Sequence, residues 1–334
     1  MHSAAEIDRA LSEHIHREAT VAAEHRGERF DRIAAELFPE FSRTRLQAWI
    51  RAGNLRVNGA VLKPREPLLG GERLSLDAEL EPADDQVAPE PIALDVIHED
   101  GAILVINKPA GMVVHPGAGN RAGTLQNAIL HRAPQTEALP RAGLVHRLDK
   151  DTSGLMVVAK TLQAHKALVD QLQARTMGRE YLALVGGALT AGGSVDAPIG
   201  RDPRERKRMV VREDGRPART DYRIEERFPA HTLLRCRLHS GRTHQIRVHM
   251  AHIRHPLVGD PTYGTRLRLP KGADEAVREA LSGFRRQALH AQRLQLVHPE
   301  TGETVHWEAA LPADFEALLA ALRRHRDMQA QGGG

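Results

Sequence analysis

The apolar residues of this chain occur mainly in short runs bounded by glycine, proline or charged residues. These runs are rich in β-branched side chains and occupy residues 102–106, 154–159, 181–185 and 232–238. Such runs are typical of strands. Between these runs, apolar residues recur at helical spacing chiefly at residues 124–131, 163–175 and 244–252. A last helix is predicted at residues 317–324. Because strands and helices do not alternate regularly, we do not expect a doubly wound parallel sheet. The pattern predicts an α+β fold with a mixed, mainly antiparallel sheet and flanking helices.

The N-terminal part has a different pattern. Apolar residues recur at helical spacing from Phe30 to Phe38, and Ser42 is a candidate N-cap for a second helix. Residues 55–59 indicate a strand that enters an Asn-Gly turn, with returning strands at 61–62 and 73–76. We therefore predict a small α/β domain made of two helices and a hairpin.

The length of 334 residues favours two domains over one. Prolines and acids cluster at residues 82–91 and indicate a linker. We expect a flexible tail at 1–26, the small domain at 27–82, a linker at 83–95, the large domain at 96–325 and a C-terminal tail at 326–334. A short helix around residues 7–15 is the alternative for part of the first tail. Residues 201–223, rich in bases and acids, indicate an exposed arm or hairpin.

Positive charge is concentrated in one segment. Residues 41–65 carry six bases and no acid, whereas residues 66–100 carry eleven acids and one base. Of the 47 basic residues, 40 are arginine, which suits phosphate binding, although a GC-rich genome also enriches arginine. The segregation favours a nucleic-acid partner. The predicted phosphate contacts are Arg43, Arg45, Arg51, Arg56 and Lys63.

One cysteine, Cys236, cannot form a disulfide within the chain, and no apolar stretch approaches the ~20 residues of a membrane span. We expect a cytoplasmic protein without a membrane partner.

Histidines 244, 249, 252 and 255 suggest a metal site. However, His244 and His249 fall on different helix faces and no cluster of thiols accompanies them, so we predict no metal.

Residues 146–160 are the densest group of candidate catalytic side chains. A charged loop with Asp149 and Asp151, flanked by Arg147 and Lys150, leads directly into a strand. A carboxylate at the edge of a rigid sheet can take part in catalysis. The alternative is an ordinary turn in which aspartate, serine and threonine bind backbone amides.

Two further residues are candidates for the same site. Thr243 is placed to cap a helix, which puts Arg247 one turn inside it. Arg247 is either an exposed helical arginine or a cation held against a carboxylate. Tyr181 opens a strand and is either a core residue or a ring that stacks on a base.

Four motifs, in this order, resemble those of the RluA/RluD family of pseudouridine synthases. They are Asn-Lys-Pro-Ala-Gly at 107–111, His-Arg-Leu-Asp-Lys-Asp-Thr-Ser-Gly at 146–154, Arg-Glu-Tyr at 179–181 and Gly-Arg-Thr-His-Gln-Ile-Arg at 241–247. The N-terminal part resembles an S4 RNA-binding domain through residues 29–33, 42–46 and 57–59. The similarity extends from about residue 28 to residue 312.

The resemblance implies that the chain isomerises uridine in RNA to pseudouridine without a cofactor or a metal. By position, Asp149 is the catalytic aspartate, Tyr181 stacks on the base, and Arg247 pairs with Asp149. Arg147 contacts RNA phosphate or fills the space of a flipped base. The implied fold is a mixed antiparallel sheet split by an active-site cleft.

The amino-acid sequences of the motifs, together with the presence of an S4 domain, are most similar to those of the RluD branch, which acts on large-subunit (23S) ribosomal RNA. We expect a monomer that binds this RNA. The alternatives are a family member acting on tRNA, or on both RNAs, a non-catalytic S4-type RNA-binding protein, and a metal hydrolase that uses the histidines.

Overall fold

The computed structural model describes residues 13–41, 43–80, 87–117, 120–205, 207–264 and 267–331. The chain divides into two compact units, residues 1–86 and 87–334. Among the described residues, no helix has the length and apolar character that crossing a membrane requires.

In the described part of the first unit, two helices pack against a three-stranded antiparallel sheet. Its elements are β1 (Glu13–Thr20), α1 (Phe30–Leu37), α2 (Arg43–Ala52), β2 (Leu55–Val57) and β3 (Arg73–Leu80), with strand order β1-β3-β2. The core comprises fully buried apolar residues of both helices and of β2 and β3, including Phe30, Ile33, Leu46, Ile50, Leu55, Leu74 and Leu76.

The predicted Asn-Gly turn is present. Asn58 and Gly59 both have positive φ, at 49° and 80°, which the two-residue turn after β2 requires. Residues 61–62, predicted as a strand, lie outside regular structure, and the N-cap candidate Ser42 lies outside the described residues.

The prediction of a flexible tail at 1–26 is wrong for residues 13–20. They form β1, which pairs with β3 over its whole length. Within β1, Ile15 is buried while most of its neighbours are exposed, so the strand carries too few apolar residues for a clear period. Main-chain hydrogen bonds to β3 hold it in place. The alternative helix at 7–15 is also wrong at residues 13–15, and its remainder lies outside the described residues.

The second unit is built on a large sheet with nine strands among the described residues. They are β4 (Val96–Glu99), β5 (Ile103–Lys108), β6 (Ser153–Ala159), β7 (Gly178–Gly186), β8 (Gly193–Asp196), β11 (Arg219–Arg227), β12 (His231–Leu238), β13 (Leu289–Val297) and β14 (Thr304–Glu308). A separate hairpin consists of β9 (Ile199–Arg201) and β10 (Met209–Val211). The helices are α3 (Leu125–Arg132), α4 (Leu162–Ala174), α5 (Gln245–His252), α6 (Glu275–Gly283) and α7 (Ala313–Gln331).

The order in the large sheet is β4-β5-β6-β13-β7-β12-β11-β8, and β14 also pairs with β13. β6 and β13 run parallel, and the other paired neighbours run antiparallel. This confirms the predicted mixed, mainly antiparallel sheet with flanking helices.

The two faces of this sheet are covered by different helices. In β5, Leu104 and Ile106 belong to the cluster that contains residues of α3 and α5, whereas Ile103 and Val105 belong to the cluster with α4. In β7, Tyr181 is on the side of α3 and α5. Strand alternation therefore directs Tyr181 toward α5, the helix that carries Arg247.

Three segments differ from the sequence predictions. Residues 326–331, predicted as a tail, continue α7, and Arg326 donates a 2.7 Å hydrogen bond to Glu226. The predicted arm at 201–223 is partly the β9–β10 hairpin, but its end belongs to β11 in the large sheet. Residues 87–95 of the predicted linker pack on the second unit, where Asn127 Nδ2 donates to the Ala88 carbonyl at 2.7 Å. Residues 83–86 lie outside the described residues.

Candidate active site

Asp149 and Arg247 meet although they are 98 residues apart in the chain. Asp149 lies in the loop before β6, and Arg247 is the third residue of α5. Arg247 Nη1 donates to Asp149 Oδ2 at 3.0 Å. The Asp149 side chain is 17% exposed and that of Arg247 only 5%. A partly accessible carboxylate is thus fixed by a buried guanidinium.

A second carboxylate, which the sequence analysis missed, fixes Arg247 itself. Arg247 Nε and Nη2 donate to Asp260 Oδ2 and Oδ1 at 2.7 and 2.9 Å. The Asp260 side chain is fully buried, and its Oδ1 also accepts from the backbone N–H groups of Thr262 and Tyr263. Asp260 thus uses one edge of the guanidinium and leaves Nη1 for Asp149. No motif or helical spacing links Asp260 to Arg247, so the sequence carried no signal for it.

Asp260 and Arg247 each stabilise the ionised form of the other. Burial raises the pKa of Asp260, but the hydrogen bonds and charge of Arg247 outweigh this and lower it overall. Burial likewise lowers the pKa of Arg247, while Asp260 and then Asp149 raise it more. Arg247 therefore remains a cation beside Asp149.

Tyr181 lines the same cleft as Asp149 and Arg247, together with Thr152, His244 and Leu289. The ring is 5% exposed, and β7 is held between β12 and β13, with Cys236 and Ala291 opposite Tyr181. Burial raises the pKa of Tyr181. The structure therefore brings together the three residues predicted from the sequence, with a neutral aromatic ring in the cleft wall.

Three more arginines line the cleft, namely Arg147, Arg179 and Arg242. Arg147 is exposed, lies two residues before Asp149 in the chain and lines the same cleft. Arg179 is 8% exposed, and its buried Nε has no hydrogen-bond partner among the described residues. Arg179 belongs to the Arg-Glu-Tyr motif, but nothing in the sequence indicates that it faces the cleft.

The loop that carries Asp149 is anchored by Lys108. This residue is 1% exposed, and its Nζ donates to the carbonyls of Pro109, Met112 and Lys150 at 2.7, 3.0 and 3.0 Å. Gly111 N–H donates to the Lys150 carbonyl as well, at 2.9 Å. Burial lowers the pKa of Lys108 to about 7, and the charges of Asp151 and Asp149 oppose this. The ammonium form has one proton for each of the three carbonyls.

Replacing Lys108 by methionine is expected to lower both stability and turnover. Three carbonyls lose a donor, which should cost about 3 kcal/mol in urea unfolding. A catalytic loop displaced by about 1 Å can lose roughly 100-fold in rate. Lys166→Met, at an exposed position of α4, is the control. Equal stability and activity of the two variants would contradict the anchoring role.

The N-terminus of α5 differs from the prediction. The N-cap is His244, not Thr243, and it has a left-handed conformation with φ 58° and no side-chain capping bond. The turn before it is held by Gln245, whose Oε1 accepts from Ser240 Oγ at 2.7 Å and from Arg242 N–H at 3.0 Å. The Thr243 hydroxyl is therefore not needed as a cap.

The predicted phosphate contacts of the first unit are in different environments. Arg43 is half exposed, but its Nη2 lies 3.0 Å from the fully buried carboxylate of Asp31, so its main partner is within the protein. Arg45 lies over the Trp49 ring, 5.9 Å from its centroid. The other three predicted side chains, Arg51, Arg56 and Lys63, are exposed.

The histidines considered as metal ligands have separate partners. His249 is buried and bonded to Thr220 Oγ1 and the Ala197 carbonyl, while His255 bonds to the Gly186 carbonyl. A different group, His98, Asp100 and His298, brings its ligand atoms within 4.8 Å. His298 Nδ1 accepts from the N–H groups of Glu300 and Thr301, so Nε2 carries the proton that bonds to Asp100. This arrangement favours a hydrogen-bonded cluster over a metal site.

The comparisons with known proteins define the class. The model of the RNA pseudouridylate synthase family matches residues 102–252, and the S4 domain model matches residues 28–74. Two solved human structures are similar to the chain, each at 26% sequence identity. Human RNA pseudouridylate synthase domain containing 1 has a TM-score of 0.52, and the match covers 70% of this chain and 90% of that one. Human RNA pseudouridylate synthase domain containing 4 has a TM-score of 0.54, and the match covers 68% of this chain and 92% of that one. With the relatives given next, these matches show that the chain belongs to the RNA pseudouridine synthases, enzymes that isomerise uridine in RNA.

More similar curated relatives carry one particular name, ribosomal large subunit pseudouridine synthase D. The chain is 57% identical over 307 residues to the Xanthomonas campestris protein, covering 92% of each. It is 54% identical over 317 residues to that of Pseudomonas aeruginosa, covering 95% of this chain and 99% of the relative. It is 53% identical over 278 residues to the Escherichia coli K12 protein, covering 83% of this chain and 85% of the relative. The predicted family and its S4 domain are thereby confirmed, and RNA is the partner.

Proposed function

We propose that this protein converts specific uridines of large-subunit ribosomal RNA to pseudouridine, with Asp149 as the catalytic carboxylate. The observation that carries the assignment is the accessible Asp149 carboxylate held by Arg247 in a cleft beside the Tyr181 ring. The names of the similar proteins support the ribosomal substrate. A protein that only binds RNA has no need for this buried arrangement of charges.

The chemistry explains why these groups belong together. Breaking the bond between C1′ and N1 develops positive charge on the ribose and negative charge on the uracil. A carboxylate next to the sugar therefore stabilises the transition state, either as a nucleophile at C1′ or as a base at C2′. The uracil then turns, bonds to C1′ through C5, loses the C5 proton and gains one at N1. On the route in which Asp149 acts as a base, the proton taken from C2′ also returns to C2′. Arg247 keeps the Asp149 carboxylate in place during both bond changes.

Tyr181 and Arg147 are proposed to handle the flipped nucleotide. An enzyme that acts on a base within folded RNA extrudes the nucleotide into a pocket. The Tyr181 ring confines the detached uracil by stacking, and Arg147, exposed beside Asp149, contacts phosphate or fills the space that the base leaves. We further propose that the enzyme acts as a monomer in the cytoplasm, where ribosomal RNA is made, and needs neither metal nor cofactor.

The direct test is chemical mapping of pseudouridine in ribosomal RNA from cells with and without the protein. Specific large-subunit positions should lose the modification in the deletion strain and regain it with the wild-type gene. Loss at tRNA positions alone would overturn the ribosomal substrate. With purified enzyme, RNA labelled with tritium at C5 of uridine should release tritium in the presence of a chelator, because the new C5–C1′ bond displaces that hydrogen.

Tyr181→Phe should retain more activity than Tyr181→Ala. Phenylalanine keeps the face that stacks on uracil, whereas alanine removes a contact worth about 1–3 kcal/mol per base. The measurement is the single-turnover rate of tritium release. Equal and complete loss in both variants would instead implicate the hydroxyl group.

The exposed bases of the first unit should determine the salt dependence of binding. Neutralising Arg51, Arg56 and Lys63 with glutamine should flatten the slope of log affinity against log salt by up to about 0.9 per lost contact. Arg324→Gln, an exposed arginine of α7, is the control. Arg43→Gln should chiefly destabilise the first unit, since it removes a partner of buried Asp31. An unchanged slope in the triple variant would remove these residues from the RNA-binding surface.

A further inference from the structure

His244 shares the cleft with Asp149 and has an unusual backbone conformation. Its φ of 58° is left-handed, which non-glycine residues adopt at a cost. Its side chain is 19% exposed, close to the 17% of Asp149, and both line the same cavity. A strained residue in an active site suggests that the position of its side chain is needed there.

The hydrogen bonds around His244 favour one tautomer of its ring. Tyr263 Oη accepts from Met209 N–H at 2.9 Å and lies 2.8 Å from His244 Nδ1. Burial raises the pKa of Tyr263, so the phenol keeps its proton and can donate it to Nδ1. With Nδ1 accepting, the neutral imidazole carries its proton on Nε2.

Several charges act on this ring. Burial lowers the pKa of His244, Asp149 and Asp260 raise it, and Arg247 and Arg147 lower it. The net direction is downward, which favours the neutral ring. His244 therefore presents a single N–H group, on Nε2, toward the cleft.

The Nε2 atom approaches Oδ1 of Asp149, the carboxylate oxygen to which Arg247 does not donate. The distance from Nε2 to Oδ1 is 3.9 Å, whereas Arg247 Nη1 binds Oδ2 at 3.0 Å. A distance of 3.9 Å is too long for a hydrogen bond. Catalytic hydrogen bonds are often long in the free enzyme and shorten in the substrate complex.

We propose that His244 is a positioning residue for Asp149: in the substrate complex its Nε2–H donates to Oδ1 while Arg247 holds Oδ2. The two donors together fix the rotation of the carboxylate relative to the ribose. Tyr263 acts indirectly: its hydroxyl donates to His244 Nδ1, so that Nδ1 remains an acceptor and the proton stays on Nε2. The inference rests on the proposed role of Asp149 in pseudouridine formation.

Two substitutions separate this role from a purely structural one. Glutamine can place its amide N–H near the position of Nε2, whereas the shorter asparagine cannot, although asparagine tolerates the left-handed conformation better. A positioning role predicts that His244→Gln is the more active variant. A role limited to the backbone turn predicts the reverse order.

The experiment measures single-turnover tritium release and RNA affinity separately, on large-subunit ribosomal RNA labelled at C5 of uridine. His244→Asn should lose about 10- to 100-fold in rate, the range for a donor to a charged group, with affinity unchanged. His244→Gln should recover most of that loss. Tyr263→Phe should also be slower, and the double variant with His244→Asn should be no slower than His244→Asn alone, because Tyr263 acts through His244.

His252→Gln, at the exposed end of α5, is the matched control and should match the wild type. Thermal unfolding checks that each variant is folded. The proposal is overturned if His244→Asn keeps the wild-type rate, if asparagine is as active as glutamine or more so, or if the losses appear in affinity instead of rate. If the wild-type enzyme releases no tritium from this RNA, the proposed function fails instead.

Discussion

Replacing Asp149 by asparagine is expected to abolish turnover while the fold and the RNA affinity remain nearly unchanged. The amide keeps the shape of the side chain and still accepts the hydrogen bond from Arg247 Nη1, but it lacks the negative charge that opposes the cationic ribose. Loss of a residue with a direct role in bond making typically lowers the rate by about 10³-fold or more. Tritium release and thermal unfolding, measured on the same preparation, test the two halves of this expectation.

Asp151→Asn is the matched control, because Asp151 belongs to the same loop and carries the same group. It is not among the residues that line the cleft with Asp149. We expect this variant to retain most of its activity. Pseudouridine formation by Asp149→Asn protein, shown by mass spectrometry to be free of deamidation, would refute the assignment of Asp149.

The second large effect is expected for Asp260→Asn, in both stability and turnover. The buried Arg247 would lose the carboxylate that binds it through two hydrogen bonds. Removing one partner of a buried ion pair costs about 3–5 kcal/mol, because the remaining charge stays buried with less compensation. Arg247 would keep Asp149 as its carboxylate partner but lose the two hydrogen bonds of Asp260. Urea unfolding measures this loss. The rate should fall as well, since Arg247 no longer presents Nη1 to Asp149 in one fixed position.

The pH dependence of stability provides a check on the same pair. The pKa of Asp260 is lower in the folded protein than the usual aspartate value of about 3.9. Its contribution to stability is therefore fully present above about pH 4 and is lost as the pH falls toward the folded pKa. The stability difference between wild type and Asp260→Asn should shrink below pH 4. Asp214→Asn, in an exposed pair with Arg212, should change stability little at any pH, and an equal loss in both variants would contradict the role of Asp260.

Much of the site was accessible from the sequence because its residues lie in short local motifs. Asp149 lies in the charged loop before β6, and the apolar runs of β6 and β7 predicted the strands that frame the cleft. The helix carrying Arg247 was predicted at residues 244–252 and occurs at Gln245–His252. Strand and helix periods are local properties, so they survive in a single sequence.

The sequence was uninformative where a residue's environment depends on a distant part of the chain. The sequence predicts a tail in place of β1, because the order of this strand comes from pairing with β3, about sixty residues later. The sequence predicts Arg43 as an RNA contact, because it does not show that the buried Asp31 of the preceding helix is its partner. In both cases the sequence shows that the residues are mostly polar, but it does not identify the distant residues with which they pair.

The sequence by itself determined the class of fold and the family, and it predicted the three side chains to which we propose to assign the chemistry. Only the tertiary structure decided how those side chains are held: Asp260 behind Arg247, Lys108 beneath the catalytic loop, and Tyr263 behind His244. The physical reason is that supporting contacts depend on direction and distance in space. A hydrogen bond forms only within about 3.5 Å and at a suitable angle, and no local periodicity encodes which distant residue meets that condition.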